Sequence, residues 1–105
     1  MIQAHIWKKA GKVVALELTG HAMSGAYGHD IVCAAVSVLS LTTINNIERM
    51  TGIELPNEVE EGYLYASVPS DTANQTMDIL LEAFLHAIKE VEKEYGKYLQ
   101  VKISK

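Results

Sequence analysis

The chain opens in alternation. Ile2, Ala4 and Ile6 place aliphatic groups on one face and Gln3, His5 and Trp7 on the other, which predicts a half-buried strand. Lys9-Ala10-Gly11-Lys12 reads as a tight turn. Beyond it Val14, Leu16 and Leu18 alternate with Val13, Ala15 and Glu17, a second strand folded back on the first as a hairpin. Thr19 to Gly28 is a loop of small residues. From about Asp30 to Met50 the period becomes helical, with Val32, Val36, Leu39, Ile44, Ile47 and Met50 recurring at three or four. The first half of this helix is apolar on almost every side, so it should be largely buried, and Gly52 is its stop signal.

Glu54 to Glu61 is acidic and holds Pro56, which suits an edge strand or an extended loop. Leu64, Ala66 and Val68 alternate with Tyr63, Tyr65 and Ser67 in a further strand. Pro69-Ser70-Asp71-Thr72 opens a second helix, with Thr72 and Gln75 spaced as a capping box. Met77, Leu80, Leu81, Phe84, Ile88 and Val91 form its apolar stripe, and Gly96 closes it. Leu99, Val101 and Ile103 alternate with Tyr98, Gln100 and Lys102 in a last strand. The order is ββα, one or two strands, α, then β. Strands with one aliphatic face and helices with one aliphatic stripe predict an α+β two-layer sandwich, a mixed, mostly antiparallel sheet with two helices packed on one face. The other face would carry His5, Trp7, Tyr63, Tyr65 and Tyr98. It reads either as a partner or homodimer surface or as a solvated face on which tyrosine is a good strand residue.

The length of 105 residues suits a single domain, and an apolar fraction of 49 % suits one modest core. A net charge of −4 argues against a nucleic-acid-binding role, which runs on clustered Lys and Arg, and favours basic protein partners. A single cysteine makes no internal disulfide and fits a reducing, cytoplasmic setting. The N-terminus has charge too early for a signal peptide. The apolar stretch Ile31 to Leu41, broken by Ser37 and Ser40, reads as too short to span a bilayer.

That cysteine, Cys33, shares one segment with His21, His29, Asp30 and a loop containing Gly25 and Gly28. With Asp30 as N-cap, Cys33 falls in the first turn of the long helix, where exposed N–H groups and the dipole stabilise a thiolate. His21 lies just past the second strand, and the intervening loop is long enough to bring its imidazole back to the thiol. A thiolate–imidazolium pair is the working state of a cysteine protease. Against this stand plainer readings: cysteine among Ile, Val and Ala is often an inert small hydrophobe, and Asp30 serves either as cap or as orienter of His21. A metal shell of His21, His29, Asp30 and Cys33 has the i, i+4 spacing of His29 and Cys33 in its favour, but lacks the short ligand pairs of structural zinc sites, and no metal or other cofactor is expected. His5 and His86 stand apart as surface or boundary residues. The acidic run Glu54, Glu58, Glu60 and Glu61 reads as a solvated edge or as a docking strip for a basic tail.

The run Gly20-His21-Ala22, a small-residue loop, then Gly28-His29-Asp30-Ile31-Val32-Cys33-Ala34-Ala35-Val36-Ser37 resembles the bacterial ribosomal-processing cysteine protease family, Prp. The likeness in length and element order extends over essentially the whole chain. It implies a cysteine endopeptidase whose dyad falls on His21 and Cys33. Its substrate would be the N-terminal extension of the twenty-seventh large-subunit ribosomal protein, cut in the cytoplasm by a homodimer. Softer supporting roles fall on Gly20, Asp30 and Ser37. The rival is a ribosome-assembly module that binds a ribosomal protein without cutting it.

Overall fold

The computed structural model describes residues 1–20 and 27–105, with the side chains of the first helix described from Ile31 onward. Among these residues the order is β1 (Ile2–Lys9), β2 (Lys12–Thr19), α1 (Tyr27–Thr51), β3 (Asn57–Glu60), β4 (Tyr63–Ser67), α2 (Gln75–Tyr95) and β5 (Leu99–Ser104). The strands form one sheet in the order β3-β4-β2-β1-β5. Every pairing is antiparallel except β1 with β5, which is parallel. The expected two-layer α+β sandwich is therefore the observed one.

Alternation explains the layers. Ile2, Ala4, Ile6, Leu16, Leu18, Leu64, Ala66 and Leu99 are buried on one sheet face. Against them lie Val32, Val36, Ile44 and Ile47 of α1 and Met77, Leu81, Phe84, Leu85 and Ile88 of α2, in a single core. Each of these side chains leaves water for close-packed apolar surroundings, which stabilises by about 1.5–3 kcal/mol per large aliphatic group. Lys8 and Lys12 reach Glu82 and Asp78 at 3.3 and 3.1 Å, tying α2 to the β1–β2 hairpin. On the outer edge of β5, the Glu92 carboxylate accepts the Val101 N–H at 2.7 Å and so occupies a strand donor that would otherwise invite a new strand.

The structure departs from the sequence reading in several places. The register of β1 and β2 jumps from Trp7↔Ala15 to Lys8↔Val13, leaving Val14 as a bulge. The core position is therefore taken by Val13, not Val14. The cap of α2 is Asn74, whose Oδ1 accepts the Met77 N–H at 2.9 Å, and not Thr72. Asn and Thr both serve as caps, and the deciding factor is which of them stands just before the stripe that begins at Met77. Tyr98 precedes β5 and packs against the core instead of joining the open face. Over Ile31–Thr51 the first helix, with mean hydropathy 1.5, is long and apolar enough to cross a membrane by length and composition, contrary to the shorter stretch read from sequence. Its stripe Val32, Val36, Ser40, Ile44 and Ile47 is nevertheless buried within this domain, as in a core helix.

The β1–β2 turn places both central residues at positive φ, Ala10 at 53° and Gly11 at 79°, the geometry whose twist matches a two-residue hairpin. Alanine resists that region because its Cβ approaches the following carbonyl, whereas asparagine tolerates it. Ala10→Asn should therefore raise stability by about 1 kcal/mol, read as a higher urea midpoint with an unchanged slope. Ala10→Val should lower it.

Candidate active site

The chain leaves the sheet for its histidine-bearing loop at a defined point. Gly20 follows the last residue of β2 with φ of 87°. Its N–H donates to the Gly62 carbonyl at 3.1 Å, joining the end of β2 to the β3–β4 turn. A Cβ at Gly20 would lie 2.5 Å from the Met1 carbonyl oxygen. Both the backbone angle and the crowding thus require glycine here, and the neighbour it makes room for is the chain's own N-terminus. Gly62 escaped the sequence reading, although a Glu-Gly step just before an alternating strand is a hairpin signal.

Cys33 enters from the other side. It lies on α1 between the core residues Val32 and Val36, is half-buried, and packs against the edge of the core. The helix begins at Tyr27, three residues before the expected cap. Asp30 is therefore inside the helix and not its N-cap, and Cys33 stands in the second turn instead of the first. Helix-terminal N–H groups and the dipole act mainly within the first turn, so the helix start contributes less to a thiolate than the sequence reading expected. Ser37 follows Cys33 by four residues on the same helix line, about 6 Å further along the axis. It is half-buried.

His21 and the loop residues 22–26 lie outside the described residues, as do the side chains of His29 and Asp30. The approach of His21 to Cys33, and the His21/His29/Asp30/Cys33 metal alternative, fall there. Among the described residues no cluster of metal-ligating side chains occurs. The other histidines are engaged elsewhere. His5 stacks on Trp7 with ring centroids 3.8 Å apart, and its Nε2 lies 2.7 Å from Ser104 Oγ. His86 pairs with Glu82 on the exposed side of α2.

The open face of the sheet is covered by its own rings. Trp7 meets Tyr65 edge-on at 6.4 Å, and the Tyr63 hydroxyl donates to Glu17 at 3.0 Å. That bond, aided by partial desolvation and the negative charge of Glu17 and Glu58, holds the Tyr63 hydroxyl above the usual tyrosine range. Glu58 and Glu60 pair with Tyr65 and Tyr63 and so share this open face, on the side away from the helices. Of the acidic run proposed as a docking strip, only Glu61, in the turn beside Gly62, adjoins the strand that leads to His21.

The comparisons with known proteins agree with this arrangement. Residues 1–100 match the sequence model of the family described as cysteine protease Prp. The ribosomal processing cysteine protease Prp of Bacillus subtilis is 31 % identical, over 96 % of each chain. Its Staphylococcus aureus counterpart is 33 % identical over 87 % of each. Among solved structures, S. aureus Prp in complex with a substrate peptide superposes with a TM-score of 0.92 at 28 % identity, covering 99 % of this chain and all of that one. SMU.848 from Streptococcus mutans superposes at 0.91 with 35 % identity, covering 99 % and 94 %. A further S. aureus Prp structure holds a covalently linked product peptide. The sheet, the two helices and the helix-borne thiol are those of an α+β cysteine protease. The chain belongs to the cysteine protease Prp family.

Gly20→Ala should destabilise the domain by about 1–2 kcal/mol through its left-handed backbone alone, with the Met1 contact adding to this. A thermal melt would check it. Gly62→Ala, also at positive φ, should cost a comparable amount.

Proposed function

We propose that this protease removes the N-terminal extension of the twenty-seventh large-subunit ribosomal protein during ribosome maturation, with Cys33 as nucleophile and His21 as general acid and base. The observation that carries the nucleophile is simple. A cysteine protease needs a thiol, and this chain has one. It sits half-buried on a helix anchored to the core on both sides of it. Its relatives' names supply the ribosomal setting, and the family resemblance supplies the particular ribosomal protein.

Two of the four histidines are set aside by geometry. His5 lies on the sheet face opposite the helices, and His86 is held on the outside of α2. His21 and His29 remain, and the match of Gly20-His21-Ala22 to the family motif selects His21. In the reaction the Cys33 thiolate attacks the scissile carbonyl carbon, forming a C–S bond and an oxyanion. The oxyanion collapses, the C–N bond breaks, and the imidazolium of His21 protonates the departing amine. Water, deprotonated by the now neutral imidazole, then cleaves the thioester and returns the thiol–imidazole pair.

In this reading the enzyme works in the cytoplasm as a homodimer, and the substrate tail rather than RNA is its direct partner. The net charge of −4 supports a basic peptide over a phosphate backbone. Asp30 and Ser37 act as positioning residues near the dyad.

The test is mass spectrometry of a peptide spanning the extension, incubated with the wild type and with Cys33→Ala, His21→Ala and His29→Ala. Cleavage at one bond by the wild type and His29→Ala is expected, with a loss of at least about a hundredfold in His21→Ala and none detectable in Cys33→Ala. Binding of the peptide without cleavage by the wild type would replace the protease reading with that of an assembly module.

A further inference from the structure

A narrow slot opens between α1 and the β3 edge of the sheet. Its walls are Leu18, Leu64 and Val59 from the strands and Ser37, Ser40 and Leu41 from the helix, and its volume is about 30 Å³. Leu18, Leu64 and Val59 lie side by side across three strands on the helix-facing side of the sheet. The rim is apolar and open to solvent, Leu41 being 40 % and Val59 51 % exposed. The floor offers no hydrogen-bond donor. The buried Ser40 hydroxyl directs its proton back to the Val36 and Ser37 carbonyls, at 2.8 and 3.2 Å.

The slot is bracketed by both halves of the proposed dyad. On the helix, Ser37 and Leu41 continue the line of Cys33 at one and two turns, about 6 and 12 Å along the axis. On the sheet, Leu18 is two residues before Gly20 on the strand that leads to His21. An extended peptide advances about 3.3 Å per residue, so a chain whose scissile carbonyl meets Cys33 and which follows α1 brings a side chain to the slot about two residues from the cut bond. A cavity of this size takes a methyl group or the tip of a short aliphatic side chain, and a charged group entering it would lose its water without a partner.

We infer that this slot is a specificity subsite that seats a short apolar side chain of the substrate about two residues from the scissile bond, with Leu41 and Val59 as the residues that set its size. The inference rests on the protease reading and on Cys33 as nucleophile. Its occupant is the substrate peptide, because the slot is continuous with the helix line of the nucleophile and because S. aureus Prp, with the same fold, was solved with a substrate peptide.

The test uses the cleavable peptide in a series in which each position within three residues of the cut bond is in turn Ala, Val, Leu or Asp, and reads kcat/KM for the wild type, Leu41→Ala and Val59→Ala. Both residues are exposed at the rim, so both variants should fold, which circular dichroism checks. Expected is a strong penalty for Asp at one position about two residues from the bond. At that position alone, the Leu-to-Ala preference should shift by about tenfold toward Leu in Leu41→Ala. Unchanged preferences at every position in both variants, with cleavage retained, would overturn the subsite. Failure of the wild type to cut any peptide would instead remove the protease reading, and the subsite with it.

Discussion

The rotation of α1 about its own axis is the constraint on which the site depends. Val32, Val36, Ser40, Ile44 and Ile47 are all buried against the sheet and α2. Turning the helix by one residue would exchange these for neighbours such as Cys33, Ser37 and Leu41, and would place a hydroxyl and a thiol in the core. Losing even one large aliphatic contact of this kind costs about 2–5 kcal/mol. The helix is thus fixed in rotation, and Cys33 is presented at the boundary between core and solvent without depending on the loop. A thiol held there has access to substrate and a firm backbone behind it. The same locked rotation sets Ser37 and Leu41 in line with it.

The sheet supplies the other half of the arrangement. At one end the chain start, the end of β2, the β3–β4 turn and the start of β5 converge, through Ile2 N–H to the Tyr98 carbonyl and Gly20 N–H to the Gly62 carbonyl. The loop carrying His21 departs from this end, and it does so through a glycine that cannot be replaced without colliding with Met1. Two rigid supports, a core-locked helix and a closed sheet end, therefore flank the segment that carries the second group of the proposed dyad. Division of this kind lets a loop admit a peptide while its two anchors keep their separation.

Much of this was legible in the sequence because it rests on short-range pattern. Period-two alternation located β1, β2, β4 and β5, and the 3.6-residue stripe of Met77 to Val91 located α2. What escaped depends on partners distant in sequence. The bulge at Val14 is set by pairing with β1, so local alternation chose the wrong valine. The start of α1 was misplaced because Asp30 is a good cap by residue type, while the turn before it, Tyr27-Gly28-His29, has no strong helical pattern. The acidic strand looked like a docking strip because charge is visible in a sequence and sheet face is not. Pairing with Tyr63 and Tyr65 turns Glu58 and Glu60 away from the helix layer. Cys33 and His21 stood out by residue type and motif, whereas the slot of Leu18, Leu41 and Val59 joins three separate segments with no local signature.

The account's central claim is that Cys33 forms a covalent bond with the acyl half of the substrate. The most direct measurement is intact-protein mass spectrometry on samples quenched in acid during turnover of the extension peptide, followed by peptide mapping. The predicted result is a transient species heavier by the mass of the released N-terminal fragment less one water, located on Cys33 and absent in Cys33→Ala. An adduct on another residue, or turnover by Cys33→Ala, would contradict it.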